Sequence, residues 1–469
     1  MNPIPKQQPY PEGTRTHFTV EEGFMWRTVF RLCLATTLMT AATPVHGQSL
    51  RQQLLRLFSF GPTEVPLRVF SPADQNDSAA GTVINDGFAL DASQANASLV
   101  GFLDGWMRGT VANVPFGSLA GGTTFDFVGG TPQGSTISPG PVVGEVGRTL
   151  GTGRLVLGAN QSFFRFTSLR GTSLDDLTFN FTHRDACPAN SGSCAAGATS
   201  PSAADVLQVD LGVDFNLAVT SFYASYGLLD RVDIGVVVPL VYASLSGSST
   251  ARVLPFSAEE NGQVATFVAG TAADPILVSE QFIDGSAFGI GDIGARLKLN
   301  VLDAGERQVA LLGDVRLPTG DEENLLGAGA TSARALGVAS ARFGSFSPFA
   351  NLGYRYWAGD AANDALLATV GFDKVLGRSV AFTASVVSEF QLGESVFAVP
   401  DGVILPGPLT RTVQPAEIPA IRDDAVSATL GFKFVSPSRL TAVVNTMFPL
   451  TSGGPRPDLG VTAGFEYPL

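Results

Sequence analysis

The chain has 469 residues, 45% of them hydrophobic and only 15% charged, with a formal net charge of −13. Soluble domains carry about a quarter of their residues as charged groups, and a nucleic-acid binder needs a basic face, so the balance argues against a nucleic-acid partner. Past the first 50 residues no stretch supplies the roughly 18–20 uncharged apolar residues of a spanning helix. Apolar content without such helices is the mark of a membrane β-barrel, whose greasy residues are diluted by alternation.

Arg27 and Arg31 precede the apolar run LCLATTLMTAA, and TPVHG follows before Gln48. A short basic segment, an apolar run and small residues near a break form the pattern of a secretory signal, here cleaved after Gly47. Residues 1–24 are polar, which makes Met25 an alternative start. The expected division is 1–47 as extension and signal, 48–148 as an N-terminal segment, and 149–469 as barrel. Cys33 leaves with the signal. Cys187 and Cys194 (DACPANSGSC) are then an even pair in an exported protein, where a disulfide is expected. Only three histidines occur, and no metal site or cofactor is expected.

Within the N-terminal segment, RQQLLRLF (51–58) reads as one or two amphipathic helical turns. Residues 92–111 read as a helix with Leu99, Leu103 and Trp106 along one face. From residue 154 the period becomes two. Strands are expected over 154–167, 207–226, 232–242, 290–301, 308–317, 334–343, 347–357, 365–375, 380–392, 426–435, 440–450 and 459–467. In LQVDLGVDFNLAVT (207–220) the odd positions are apolar and the even ones small or polar, and successive strand side chains point to opposite faces. The run exceeds the about 5–6 residues of a usual strand and covers the roughly 9–11 of a tilted spanning one.

Short turns largely alternate with long inserts at 168–205, 246–286 and 393–424 and a medium loop at 318–331. Outer-membrane barrels sort their connections this way, and a soluble sandwich has no reason to. The expected fold is all-β: a transmembrane antiparallel up-and-down barrel of about twelve strands, with fourteen as the alternative, and a small, partly helical N-terminal segment.

With the apolar faces given to lipid, the opposite faces line a lumen. The candidates there are Asp210, Asp214, Asp233, Asp292, Arg296, Lys298, Asp314, Arg316, Arg355, Asp373, Glu389, Lys433 and Glu466. Both signs occur on neighbouring strands, so cross-strand pairs are available. Two readings fit: a structural salt-bridge network, or a lined substrate path like the charge rings of selective pores. Tyr223, Tyr226, Tyr242, Tyr354, Tyr356, Trp357, Phe465 and Tyr467 cluster near strand ends, as an interfacial belt would. No nucleophile, base and acid set stands at the strand ends, so no enzymatic role is expected.

The stretches SYGLLDRVDIGVVVPLV (225–241), GIGDIGARLKLNV (289–301), DVRLPTGDEENLLGAG (314–329) and SPFANLGYRYW (347–357), with GEVGRTLGTGRLVLGANQSFFRFTSLRG (144–171), resemble a known group of outer-membrane proteins. This is the MetA-pathway-of-phenol-degradation family, distantly like the long-chain fatty acid transporters. The resemblance implies a monomer in bacterial outer-membrane lipid, inserted by the barrel assembly machinery and moving small hydrophobic or aromatic compounds. It also implies that 48–148 folds into the lumen as a hatch. The alternative is a non-transporting surface barrel, a receptor, adhesin or structural anchor acting through 246–286 and 393–424. One departure stands out, since the chain ends Tyr467-Pro468-Leu469 where such proteins end in an aromatic residue. In YGLLDRVD, Gly227 is expected to free the turn and Asp230 to bond its amides.

Overall fold

Twelve antiparallel strands close into a barrel. The computed structural model describes residues 48–58, 144–182, 205–256, 270–359, 362–377, 379–395, 399, 401–405, 411–453 and 455–469, with strand segments at 67–70, 82–84, 126–128, 131–133, 187–188 and 264–267. In chain order the barrel strands are β1 (Leu155–Leu169), β2 (Val206–Leu229), β3 (Val232–Leu254), β4 (Gly294–Asp303), β5 (Arg307–Arg316) and β6 (Ser332–Ala341). They continue as β7 (Phe346–Trp357), β8 (Ala365–Val375), β9 (Val380–Gln391), β10 (Ala425–Val435), β11 (Thr441–Pro449) and β12 (Pro455–Pro468). Each pairs with its sequence neighbours, and β12 returns onto β1 from Pro455↔Leu169 to Pro468↔Val156. Closure leaves the ring without a free edge, the condition for spanning lipid with strands.

One end carries the tight connections 230–231, 304–306, 342–345, 376–379 and 436–440, and is called the turn end. The other, the loop end, carries 170–205, 255–293, 317–331, 358–364, 392–424 and 450–454. Three further strands, Thr172–Ser173, Leu177–Thr182 and Val278–Ile290, extend the sheet at the loop end without joining the ring. β2 and β3 have 24 and 23 residues where the others have between 9 and 15. At roughly 3.3 Å per residue β2 is about 80 Å long, against about 30 Å of hydrocarbon in a bilayer.

The outward face is apolar round the ring. Leu157, Phe222, Ile234, Val236, Leu297, Leu311, Leu352, Val370, Val386, Leu430, Val444 and Phe465 are all exposed there, and β6 adds the small Ala335, Gly337 and Ala339. So large a contiguous apolar surface is foreign to a soluble monomer.

β2 corrects one expectation. Along it the inward face keeps odd numbering throughout. Leu211, Phe215 and Val219 are at most 3% exposed, and Ser221, Tyr223 and Ser225 continue the same buried side. The greasy face of 207–220, expected to meet lipid, therefore points into the barrel. Asp210 and Asp214, expected in the lumen, lie on the outer face, where Thr178 donates to Asp210 and the exposed Arg165 lies 3.4 Å from Asp214.

The physical reason is that the outside medium changes while the parity does not. Near the turn end β2 shows Phe222 and Tyr226 outward, and beyond Ala218 it shows Asn216, Asp214 and Asp210. β1 switches likewise from Phe163 to Arg165, and β3 from Ile234 and Val236 to Ser246 and Ser248. The barrel thus has two tiers. The belt tier is apolar outside with a largely polar inner wall, and on the β1–β3 side the loop-end tier is polar outside and apolar inside.

The interior of the loop-end tier is a dry core that includes Phe164, Phe166, Phe179, Phe181, Leu211, Phe215, Leu245 and Ile283. The expected amphipathic turns form helix α1 (Leu50–Arg56), started by a capping box in which the Ser49 hydroxyl takes the Gln52 amide and the Gln52 side chain takes the Ser49 amide. Leu50, Leu54, Leu57 and Phe58 fall on one stripe and enter this core. Phe58 meets Phe179 and Phe181 edge-on at 6.1 and 6.0 Å. Burying such side chains stabilises the helix by roughly 1.5–3 kcal/mol each.

The signal, the helix expected over 92–111 and Cys194 lie outside the described residues. Cys187 belongs to a short strand (Cys187–Pro188) beside Val403–Leu405.

Candidate functional site

Antiparallel register sets four inward charges in one row across neighbouring strands. Arg296 on β4 faces Asp314 on β5, Asp314 faces Arg334 on β6, and Arg334 faces Arg355 on β7. Arg334 forks onto Asp314, with Nε to Oδ1 at 2.9 Å and Nη2 to Oδ2 at 2.7 Å. Arg355 reaches past β8, whose opposing residue is the small Ala365, and forks onto Glu389 of β9 at 2.9 and 2.8 Å. Such planar forks are the strong form of the charge-assisted hydrogen bond. The Arg355 guanidinium also lies 5.9 Å from the centre of the Trp357 ring.

The carboxylate that meets Arg296 comes from outside the wall. Residues 144–150 have no regular structure and lie against the inward faces of β3, β4, β6 and β7. Glu145 Oε1 accepts from Arg296 Nη1 at 2.6 Å, and its Oε2 is 3.7 Å from Lys298 Nζ. Its backbone N–H donates to Asn351 Oδ1, and Asn351 Nδ2 donates to its carbonyl. The Gly147 amide donates to Ser340 Oγ, Asn300 Nδ2 donates to the Gly147 carbonyl, and the Leu150 amide donates to both oxygens of Asp233 at 3.0 Å. Wall side chains thus satisfy the backbone of a segment that has no ladder of its own.

The segment then passes the turn end beside β2. Gly227 sits within β2, and its glycine requirement is contact rather than turn freedom: a Cβ there would lie 1.9 Å from the Gly151 carbonyl oxygen. Asp230 does not bond its own turn. It accepts from the hydroxyl and amide of Thr152, and the hydroxyl bond above all holds its carboxyl below the usual carboxylate range.

Asp292 serves a wall break rather than open lumen. Between Val237↔Gly294 and Leu240↔Ile290, two residues of β3 face the three residues 291–293. Pro239 has no N–H to donate there, and it accepts from Gly291. The loop 317–331 folds into the gap, and Asp292 holds it by accepting from the Gly320 amide at 3.0 Å and the Ala328 amide at 2.8 Å. Two separate sequence stretches, GIGDIG and PTGDEENLLGAG, are in this way one structural unit.

Arg316, Asp373, Lys433 and Glu466 also lie on inward faces. Glu466 faces Gly158, which faces Tyr223. A Cβ at Gly158 would lie 2.3 Å from the tyrosine ring, so its absence lets Tyr223 cross β1 toward Glu466. Of the expected interfacial aromatics, Tyr226, Tyr354, Tyr356, Phe465 and Tyr467 are exposed outward, whereas Tyr223 and Trp357 turn inward. Sequence reading missed Glu145, Arg334 and Asn351. Arg334 was legible as the inward partner of Asp314, but Glu145 lies in a segment without period.

No family model matches the chain, and no curated protein matches it. Among solved structures, an outer membrane channel from Pseudomonas putida F1 is similar with a TM-score of 0.39 at 9% identity, over 69% of this chain and 98% of that one. The translocator domain of the autotransporter NalP from Neisseria meningitidis gives 0.31 at 9% identity, over 68% and 88%. A Pseudomonas aeruginosa FadL homologue gives 0.30 at 11% identity, over 67% and 89%.

Proposed function

We propose that the chain is a bacterial outer-membrane barrel that conducts small hydrophobic or aromatic compounds, with residues 48–148 acting as a plug in its lumen. The observation that supports this reading most is the two-tier wall. Its outward apolar belt suits lipid, and its interior leads from an apolar loop-end tier to the charged row where residues 144–150 pass. Residues 144–150 lie against the inner wall of the ring and α1 packs into the loop-end core, so on this reading passage requires one or both to move. On this reading the turn end faces the periplasm, the outer-membrane lipid and the barrel assembly machinery are the partners, and a closed ring suits a monomer. Twelve strands enclose too little free bore for a general diffusion pore once side chains fill it.

Single-channel recording with and without residues 48–148 tests the reading. The full chain is expected to conduct little, and the shortened chain to open. A folded barrel that conducts in neither form and binds ligand through 255–293 or 392–424 would be a receptor instead.

A further inference from the structure

The cations of the charged row are not all served by the wall. Arg334 and Arg355 are each forked by a wall carboxylate, while Arg296 and Lys298 converge on Glu145, which belongs to the segment inside the barrel. Asp233 faces Lys298 in register, but both its oxygens take the Leu150 amide. Lys298 and Glu145 are each only 4% exposed, so little water is present to screen them. Asn351 completes the arrangement through its two bonds to the Glu145 backbone.

We propose that Arg296 and Lys298 form a binding site for the anionic oxygen group of a small organic acid, and that Glu145, held by its backbone on Asn351, is a tethered stand-in occupying it while the plug is seated. This deepens the channel reading and rests on residues 48–148 being displaceable. Withdrawing Glu145 alone would take from Arg296 and Lys298 the one carboxylate that both contact, leaving them only the in-register neighbours Asp314 and Asp233, which Arg334 and the Leu150 amide already engage, and so thinly compensated buried charge is costly. An incoming carboxylate removes that cost, so binding it favours the displaced plug. The substrates selected in this way are apolar molecules carrying one negative charge.

The test titrates benzoate into the full chain in detergent by calorimetry, with benzamide as the neutral control. E145Q keeps the side-chain size and the backbone bonds to Asn351, and E145A is compared so that the result does not hang on one variant. Benzoate is expected to bind both variants at least roughly tenfold more tightly than the parent, the scale of one additional charge-assisted hydrogen bond. Benzamide is expected to bind parent and variants alike, and adding K298M to E145Q to abolish the benzoate effect. Equal benzoate affinity in parent and variants, or tighter binding that survives K298M, overturns the site. Binding is read without flux: a barrel that binds benzoate in this pattern but never conducts refutes the channel and not the site, whereas a conducting barrel without the pattern refutes the site alone.

Discussion

Asp314 is buried in the wall with Arg334 forked onto it. Arg334→Met removes the partner and leaves a carboxylate in the wall, which is expected to lower stability by about 3 kcal/mol. Adding Asp314→Leu is expected to recover most of that loss, because the uncompensated charge is gone. Thermal unfolding of the detergent-solubilised barrel, followed by loss of the strand signal, checks both. Gly227→Ala drives a methyl into the Gly151 carbonyl and is expected to cost about 1–3 kcal/mol, read in the same unfolding experiment. At this scale the sequence was legible where the apolar face of a strand is the outward one: there alternation sets Arg296, Lys298, Asp314 and Arg355 on the opposite, inward side. It was illegible where distant segments meet. Gly227 looked like a turn residue because its neighbour across the contact, Gly151, is far away in the chain, and Glu145 carries no pattern that assigns it to Arg296.

At the scale of elements, the turns and most strand limits followed from period and punctuation, and α1 from its apolar stripe. The break at 291–293 did not, since its cause is Pro239 on a different strand. Loop 317–331 closes that break and also holds α1: Arg51 Nη1 lies 2.6 Å from Glu323 Oε1, and the Arg51 amide donates to the Glu323 carbonyl. Asp292→Ala deprives the Gly320 and Ala328 amides of their acceptor. The loop is then expected to be cut at Glu322 or Glu323 several-fold faster by a glutamate-specific protease, with the ring still folded. Hydrogen exchange over 48–58 is expected to speed up in the same variant, because the helix loses its anchor. Faster cleavage with unchanged exchange in α1 would show that loop and helix are independent.

At the scale of the whole molecule, the barrel was read correctly, though its longest strand points its greasy face the other way. Alternation reports that two faces differ, but not which medium each face meets. In 207–220 the outward side is polar and the apolar side shares one core with α1, whereas in β3 near the turn end the apolar Ile234 and Val236 face outward over an inward Asp233. The measurement that tests this account most directly is spin-label accessibility in a reconstituted, cysteine-free background. Labels at positions 236, 430 and 214 are compared for collision with oxygen, which partitions into lipid, and with a water-soluble nickel chelate. Positions 236 and 430 are expected to favour oxygen and 214 the chelate. A label at 214 shielded in lipid, or one at 236 or 430 open to the chelate, would contradict the two-tier wall and the function drawn from it.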